Sequence, residues 1–68
     1  MDEDKLNHTV RSFLKEVGIT SQRTIENAVR DAVRAGRLSG DERIEAKMTL
    51  VVDKLGLTHE ITADIELK

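Results

Sequence analysis

The apolar periodicity changes once along this chain, and that change bounds what it can fold into. Before Ser39-Gly40-Asp41 the apolar residues recur at helical spacing; after it they alternate with polar ones. The order is therefore helical segments first and strands second. Leu6, Val10, Phe13, Leu14 and Val17 form one helical stripe, and Ile25, Ala28, Val29, Ala32 and Val33 form another. Gly18 stands between them, where a helix C-cap enters the left-handed region without a Cβ penalty. Ser21, or Thr20 in its place, suits the N-cap of a following helix, since its hydroxyl can accept from an orphan N–H one turn on. The expected elements are a helix from Asp4 to Val17 and a second from Ser21 to Ala35. Asp2, Glu3 and Asp4 complement the macrodipole at the start of the first, and Gly36 ends the second. The short link Gly18 to Thr20 makes them an antiparallel hairpin or a steeper crossing.

Beyond Asp41, Ile44, Ala46, Met48, Leu50 and Val52 lie on one face of a strand. Leu57, His59, Ile61, Ala63, Ile65 and Leu67 do the same on the next. Strands from Arg43 to Lys54 and from Leu57 to Leu67 follow, with a turn at Leu55-Gly56. In that register Lys54 faces Leu57, Val52 faces His59, Leu50 faces Ile61, and Lys47 faces Asp64 on the outer side. A slip of one residue would put the two apolar sets on opposite faces. The expected architecture is α+β: two N-terminal helices packed on one face of a C-terminal antiparallel hairpin, as a single domain over residues 1–68. One mismatch stands out. Strands of ten residues span ~33 Å, whereas helices of fourteen span only ~21 Å. The hairpin must curl, or something else must cover it.

A chain of 68 residues buries only ~60% of the surface its unfolded form exposes. With no cysteine, neither a disulfide nor a thiolate metal site can supplement the core. Phe13 is the only aromatic residue and the expected centre of an otherwise aliphatic core. A core this thin, with two open strand edges, makes a homodimer an expected state. The balance of 11 basic and 13 acidic residues argues against bulk-electrostatic binding of nucleic acid or membrane. The longest apolar run, Leu50-Val51-Val52, falls far short of a membrane span. No apolar segment of signal-peptide type follows Met1-Asp2-Glu3-Asp4, so the expected location is the cytoplasm.

Arg23, Arg30 and Arg34 fall opposite the apolar face of the second helical segment, with Arg37 beside them if the helical turn continues. Residues 19–40 hold four arginines against Glu26 and Asp31, while the remainder has seven basic residues and eleven acids. The positive charge is thus concentrated on one face of one element. Such a face could bind phosphate or carboxylate bidentately, as on an acidic protein partner. It is also what any solvated helix face looks like, since arginine is a good helix former. Glu26 to Arg30 and Asp31 to Arg34 are spaced to pair along the helix. The candidate partner-binding residues are Arg23, Arg30, Arg34 and Arg37.

"FLKEVGITSQRTIENAV" resembles a helix-turn-helix, and "TIENAVRDAVRAGRL" with the hairpin resembles a recognition helix and wing. The resemblance is partial. The core residue expected six places after the turn glycine is Thr24, with Ile25 one later, and Leu14 replaces a small residue. A wing needs exposed basic residues, and residues 41–68 have seven acids against four bases. Nucleic-acid binding is therefore the alternative reading and not the favoured one. No cofactor or metal site is expected. His8 lies on a polar side and His59 near the turn, and neither has a second ligand at i+3 or i+4. Ser39-Gly40 has no evident base beside it, and the glycines form no phosphate-binding run, so no enzyme is expected.

"FLKEVGITSQRTIENAVRDAV" and "MTLVVDKLGLTHEITADIEL" together resemble a family of short bacterial proteins of unknown function. That family has an acidic residue where this chain has Thr24, and an acid there would complete a capping box with Ser21. The resemblance implies a bacterial cytoplasmic protein and assigns no activity. The function expected is a small non-enzymatic interaction or structural module, working through the basic helix face or the hairpin edges.

Overall fold

A computed structural model describes all residues, Met1–Lys68, in two compact units, Met1–Arg37 and Leu38–Lys68. The first unit is one helix, α1 (Glu3–Arg34, 32 residues). The second is an antiparallel hairpin of β1 (Arg43–Val52) and β2 (Leu57–Glu66). The class is α+β, but the two expected helices are a single one.

Both ends of α1 carry the chemistry that stops a helix. At its start Asp2 is extended, and its Oδ1 accepts from the Lys5 N–H at 2.9 Å. At its end the Gly36 N–H donates to the Val33 carbonyl at 3.1 Å and the Arg37 N–H to the Ala32 carbonyl at 2.9 Å. That is a Schellman termination, with Gly36 at φ 80° where it is required.

Gly18 does not end a helix; the chain passes through it in helical conformation. Breaking there would strip four carbonyls and four N–H groups of their helical partners. Each such bond is worth about 0.5–1.5 kcal/mol net. A glycine kept inside a helix costs only about 1 kcal/mol relative to alanine. Continuation wins. The residues read as caps are absorbed into the helix: Thr20 Oγ1 donates to the Glu16 carbonyl at 2.8 Å, and Thr24 Oγ1 to the Thr20 carbonyl at 2.9 Å. Ser21 therefore caps nothing, and an acid at position 24 would complete no capping box. At 100° per residue, the second apolar set is centred about 80° round from the first. The two stripes are one, winding slowly along ~48 Å of helix.

The hairpin pairs Ile44 with Ile65, Ala46 with Ala63, Met48 with Ile61, Leu50 with His59 and Val52 with Leu57. This register is two residues from the expected one, so every side chain keeps its face and changes its partner. The turn explains the slip. A two-residue loop at Leu55-Gly56 of the favoured type needs positive φ at both positions, which leucine resists. Instead Asp53–Leu55 make one helical turn, and Gly56 at φ 58° returns the chain, its N–H donating to the Asp53 carbonyl at 3.0 Å. On the outer face Lys47 now lies opposite Thr62, and Glu45 lies opposite Asp64. Lys47 Nζ reaches Glu60 at 3.9 Å, and Arg43 Nη2 meets Glu66 at 2.8 Å.

The expected core is absent from the single chain: no residue of any type is buried. Phe13 is 56% exposed and Leu14 52%. Two helices could have covered each other's stripes, but one continuous helix cannot fold back on its own.

Continuity at Gly18 is directly testable. A Cβ built there meets nothing within 4 Å, so Gly18→Ala should stabilise α1 by about 0.5–1 kcal/mol. The circular-dichroism signal at 222 nm and the thermal midpoint should both rise. A fall in helicity would mean that Gly18 caps a helix after all.

Candidate functional site

The arginine face is built by the C-terminal half of α1. Arg23, Arg30 and Arg34 lie within a sector of about 40°, opposite the middle of the apolar stripe, with Arg23 and Arg30 about 10 Å apart along the axis. Arg37 does not join them. It follows the left-handed Gly36, so the chain has already turned off the helix axis and the continued turn that would have placed Arg37 beside them is absent.

Two of the arginines are engaged as their spacing predicted. Arg34 Nη1 lies 3.0 Å from Asp31 Oδ1, and Arg30 Nη2 lies 3.9 Å from Glu26 Oε1. Arg30 Nη1 also donates to Asn27 Oδ1 at 3.3 Å. All of these side chains are largely exposed, so each pair is worth only about 0.3–0.5 kcal/mol and is screened by salt. A carboxylate brought by a partner could replace Glu26 or Asp31 at little loss. Arg23 makes no ion pair. The face is thus one free guanidinium and two weakly held ones, suited chemically to carboxylates or phosphates on a partner surface.

The helix-turn-helix comparison does not survive the fold, because Gly18 to Thr20 lie inside α1 and form no turn. His59 sits opposite Leu50 on the apolar side of the hairpin, and His8 is exposed on α1. No group of three or more histidines, cysteines or acids is placed to hold a metal ion.

Glu42 was not singled out from the sequence. Its carboxylate accepts from the Ser39 N–H at 3.1 and 2.9 Å and from the Gly40 N–H at 2.9 Å. These bonds, the one to Ser39 first, hold its pKa down from 4.5 to about 2. Ser39 Oγ donates to Asp41, and the Glu42 carbonyl accepts from the Leu67 N–H at 3.0 Å, tying the loop to the far end of the hairpin. A signal was available: Ser39-Gly40-Asp41-Glu42 has capping-box spacing, and half of that box forms here without a helix.

The folded pKa of Glu42 lies below its ordinary value, so its contribution is fully present above about 4.5 and is lost as pH falls through about 2. An NMR titration of the Glu42 side-chain carboxyl should give a midpoint near 2. Glu42→Gln should speed exchange of the Ser39 and Gly40 amide protons. A carboxyl midpoint at the ordinary 4.5 would show that the clasp does not form.

No curated protein and no solved structure matches the chain. A family model does, over residues 1–68, so the resemblance carried by "FLKEVGITSQRTIENAVRDAV" and "MTLVVDKLGLTHEITADIEL" extends to the whole chain. The chain belongs to DUF6494, a family of unknown function.

Proposed function

We propose that the chain is a non-enzymatic interaction module that works as a homodimer, with its arginine face left free for an acidic protein partner. We keep for it the bacterial, cytoplasmic setting that the sequence led us to expect. One observation carries the proposal: a chain with clear apolar faces on α1 and on the hairpin buries no residue at all.

The magnitudes make self-association the better account. Full burial of a side chain such as Leu6, Phe13 or Ile25 is worth about 1.5–3 kcal/mol. A chain of this length has a total stability of only about 3–10 kcal/mol. These side chains remain 36–56% exposed, so about half of that gain is still open, and over half a dozen of them it is comparable to the whole. A second copy brings the same apolar faces and can cover them, and the stability of such a protein then depends on its concentration. The arginines point away from the stripe and remain available for carboxylates.

Sedimentation equilibrium over a hundredfold concentration range tests this. The expected result is a species of twice the chain mass of 7.6 kDa, with a thermal midpoint that rises with concentration. Phe13→Ala should lower that midpoint most at low concentration and weaken association at least tenfold, which corresponds to about 1.4 kcal/mol. A single species at chain mass throughout would sink the homodimer.

A further inference from the structure

A central line of the apolar stripe has a spacing that reads the same from either end, although the flanking Leu14, Val29 and Val33 fall on Thr24, Thr9 and Lys5. Along α1 the positions that make up its middle are Leu6, Val10, Phe13, Val17, Ser21, Ile25, Ala28 and Ala32, with successive steps of 4, 3, 4, 4, 4, 3 and 4 residues. Reversed about residue 19, the set maps onto itself: Leu6 falls on Ala32 and Val10 on Ala28. Phe13 falls on Ile25, and Val17 on Ser21; in every pair the residue numbers add to 38. We propose that two copies of α1 pair antiparallel along this stripe, about a two-fold axis at residue 19. This rests on the homodimer proposed above and fixes its orientation.

Three features of the helix favour that orientation over a parallel one. Size is the first. The large side chains lie mostly in the N-terminal half and the alanines in the C-terminal half. Antiparallel pairing sets Leu6 and Val10 against alanines, so large and small alternate across the seam and the backbones can approach. In a parallel pair Phe13 meets Phe13, and Ala28 faces only Ala28, which leaves one end crowded and the other thin.

Charge is the second. Residues 2–5 carry three acids against Lys5, and residues 30–37 carry three arginines against Asp31, side-chain totals of −2 and +2. Antiparallel pairing sets each net-negative end beside the partner's net-positive end; Arg30 and Arg34 lie on the far side from the seam, so this is an effect of net end charge and not of ion pairs. Parallel pairing stacks like on like at both ends. The third is the helix dipole, whose positive N-terminus then lies against the partner's negative C-terminus. The occupant of the stripe is accordingly a second copy of this chain, since its spacing and charge complement themselves.

The chain has no cysteine, so introduced thiols report cleanly. Val10→Cys and Ala28→Cys proteins, mixed in a glutathione buffer, should form the mixed disulfide, and Leu6→Cys with Ala32→Cys should do the same. Neither Val10→Cys nor Leu6→Cys should form a disulfide alone. Two copies of residue 10 lie about 27 Å apart along the axis of the antiparallel pair, far beyond the ~7 Å that a disulfide tolerates. Circular dichroism confirms that each variant keeps its helix, and the second cysteine pair covers a first that does not. A disulfide of Val10→Cys with itself, and none with Ala28→Cys, would overturn the antiparallel register while leaving the homodimer standing. A dimer by sedimentation that forms neither disulfide would show the stripe covered in another way, and would also overturn it. A chain that sediments only as a monomer fails the earlier proposal and this one together.

Discussion

Once α1 runs unbroken from Glu3 to Arg34, its apolar band has nothing within the helix to cover it. A helix broken at Gly18 could have folded back and buried Phe13 between two stripes. The unbroken one presents a single apolar band along ~48 Å, and only another surface can take it out of water. The backbone decides this before packing does. Eight orphaned hydrogen-bonding groups cost more than one glycine kept in a helix, so continuity is chosen locally and the exposed band is its global consequence.

Where the sequence was read correctly, a residue had one geometry open to it. Gly36 ends α1 because the Schellman motif asks for a left-handed residue there. The change of period at Ser39-Gly40-Asp41 marks the change of element because periods of 3.6 and 2 cannot share a face. Where it was misread, two geometries competed. Gly18 can cap a helix or sit inside one, and its identity does not say which; Thr20, Ser21 and Thr24 are ambiguous in the same way, since a hydroxyl can cap ahead or bond back to i−4. The hairpin register slipped by two for a related reason. Face alternation fixes register only modulo two residues, and the choice within that set belongs to the turn, where Leu55 resists a positive φ. The length mismatch between strands and half-helices was the one sequence signal against two short helices, and the helix is indeed single and longer.

The arginines of the candidate face were legible as positions but not as a unit. Their periodicity placed Arg23, Arg30 and Arg34 together, and the pairs with Glu26 and Asp31 formed at the spacing predicted. Arg37 dropped out because the same Gly36 that terminates α1 also turns the chain off its axis. Glu42 escaped notice because its motif was sought at helix starts, whereas here it braces a loop.

The antiparallel arrangement we propose would also change what the arginine face can do. Each face occupies the C-terminal half of its helix, so a two-fold axis at residue 19 places the two faces toward opposite ends of the pair. Arg30 of one copy and its symmetry mate then lie about 33 Å apart along the axis, several screening lengths at physiological salt. The like-charged faces do not repel at that distance, so the pair can hold both without loss of stability. Nor can one small acidic group bridge them. A partner carrying a single acidic patch would therefore meet two independent sites, each no stronger than one free guanidinium and two weakly paired ones. A partner carrying two patches at matching separation gains from linkage, since the second contact forms at high effective concentration. In the proposed pair, weak arginines on a symmetric frame would discriminate by spacing more than by strength. That discrimination would depend on the helix pair, not on the arginines alone, and would make the apolar stripe and the basic face parts of a single device.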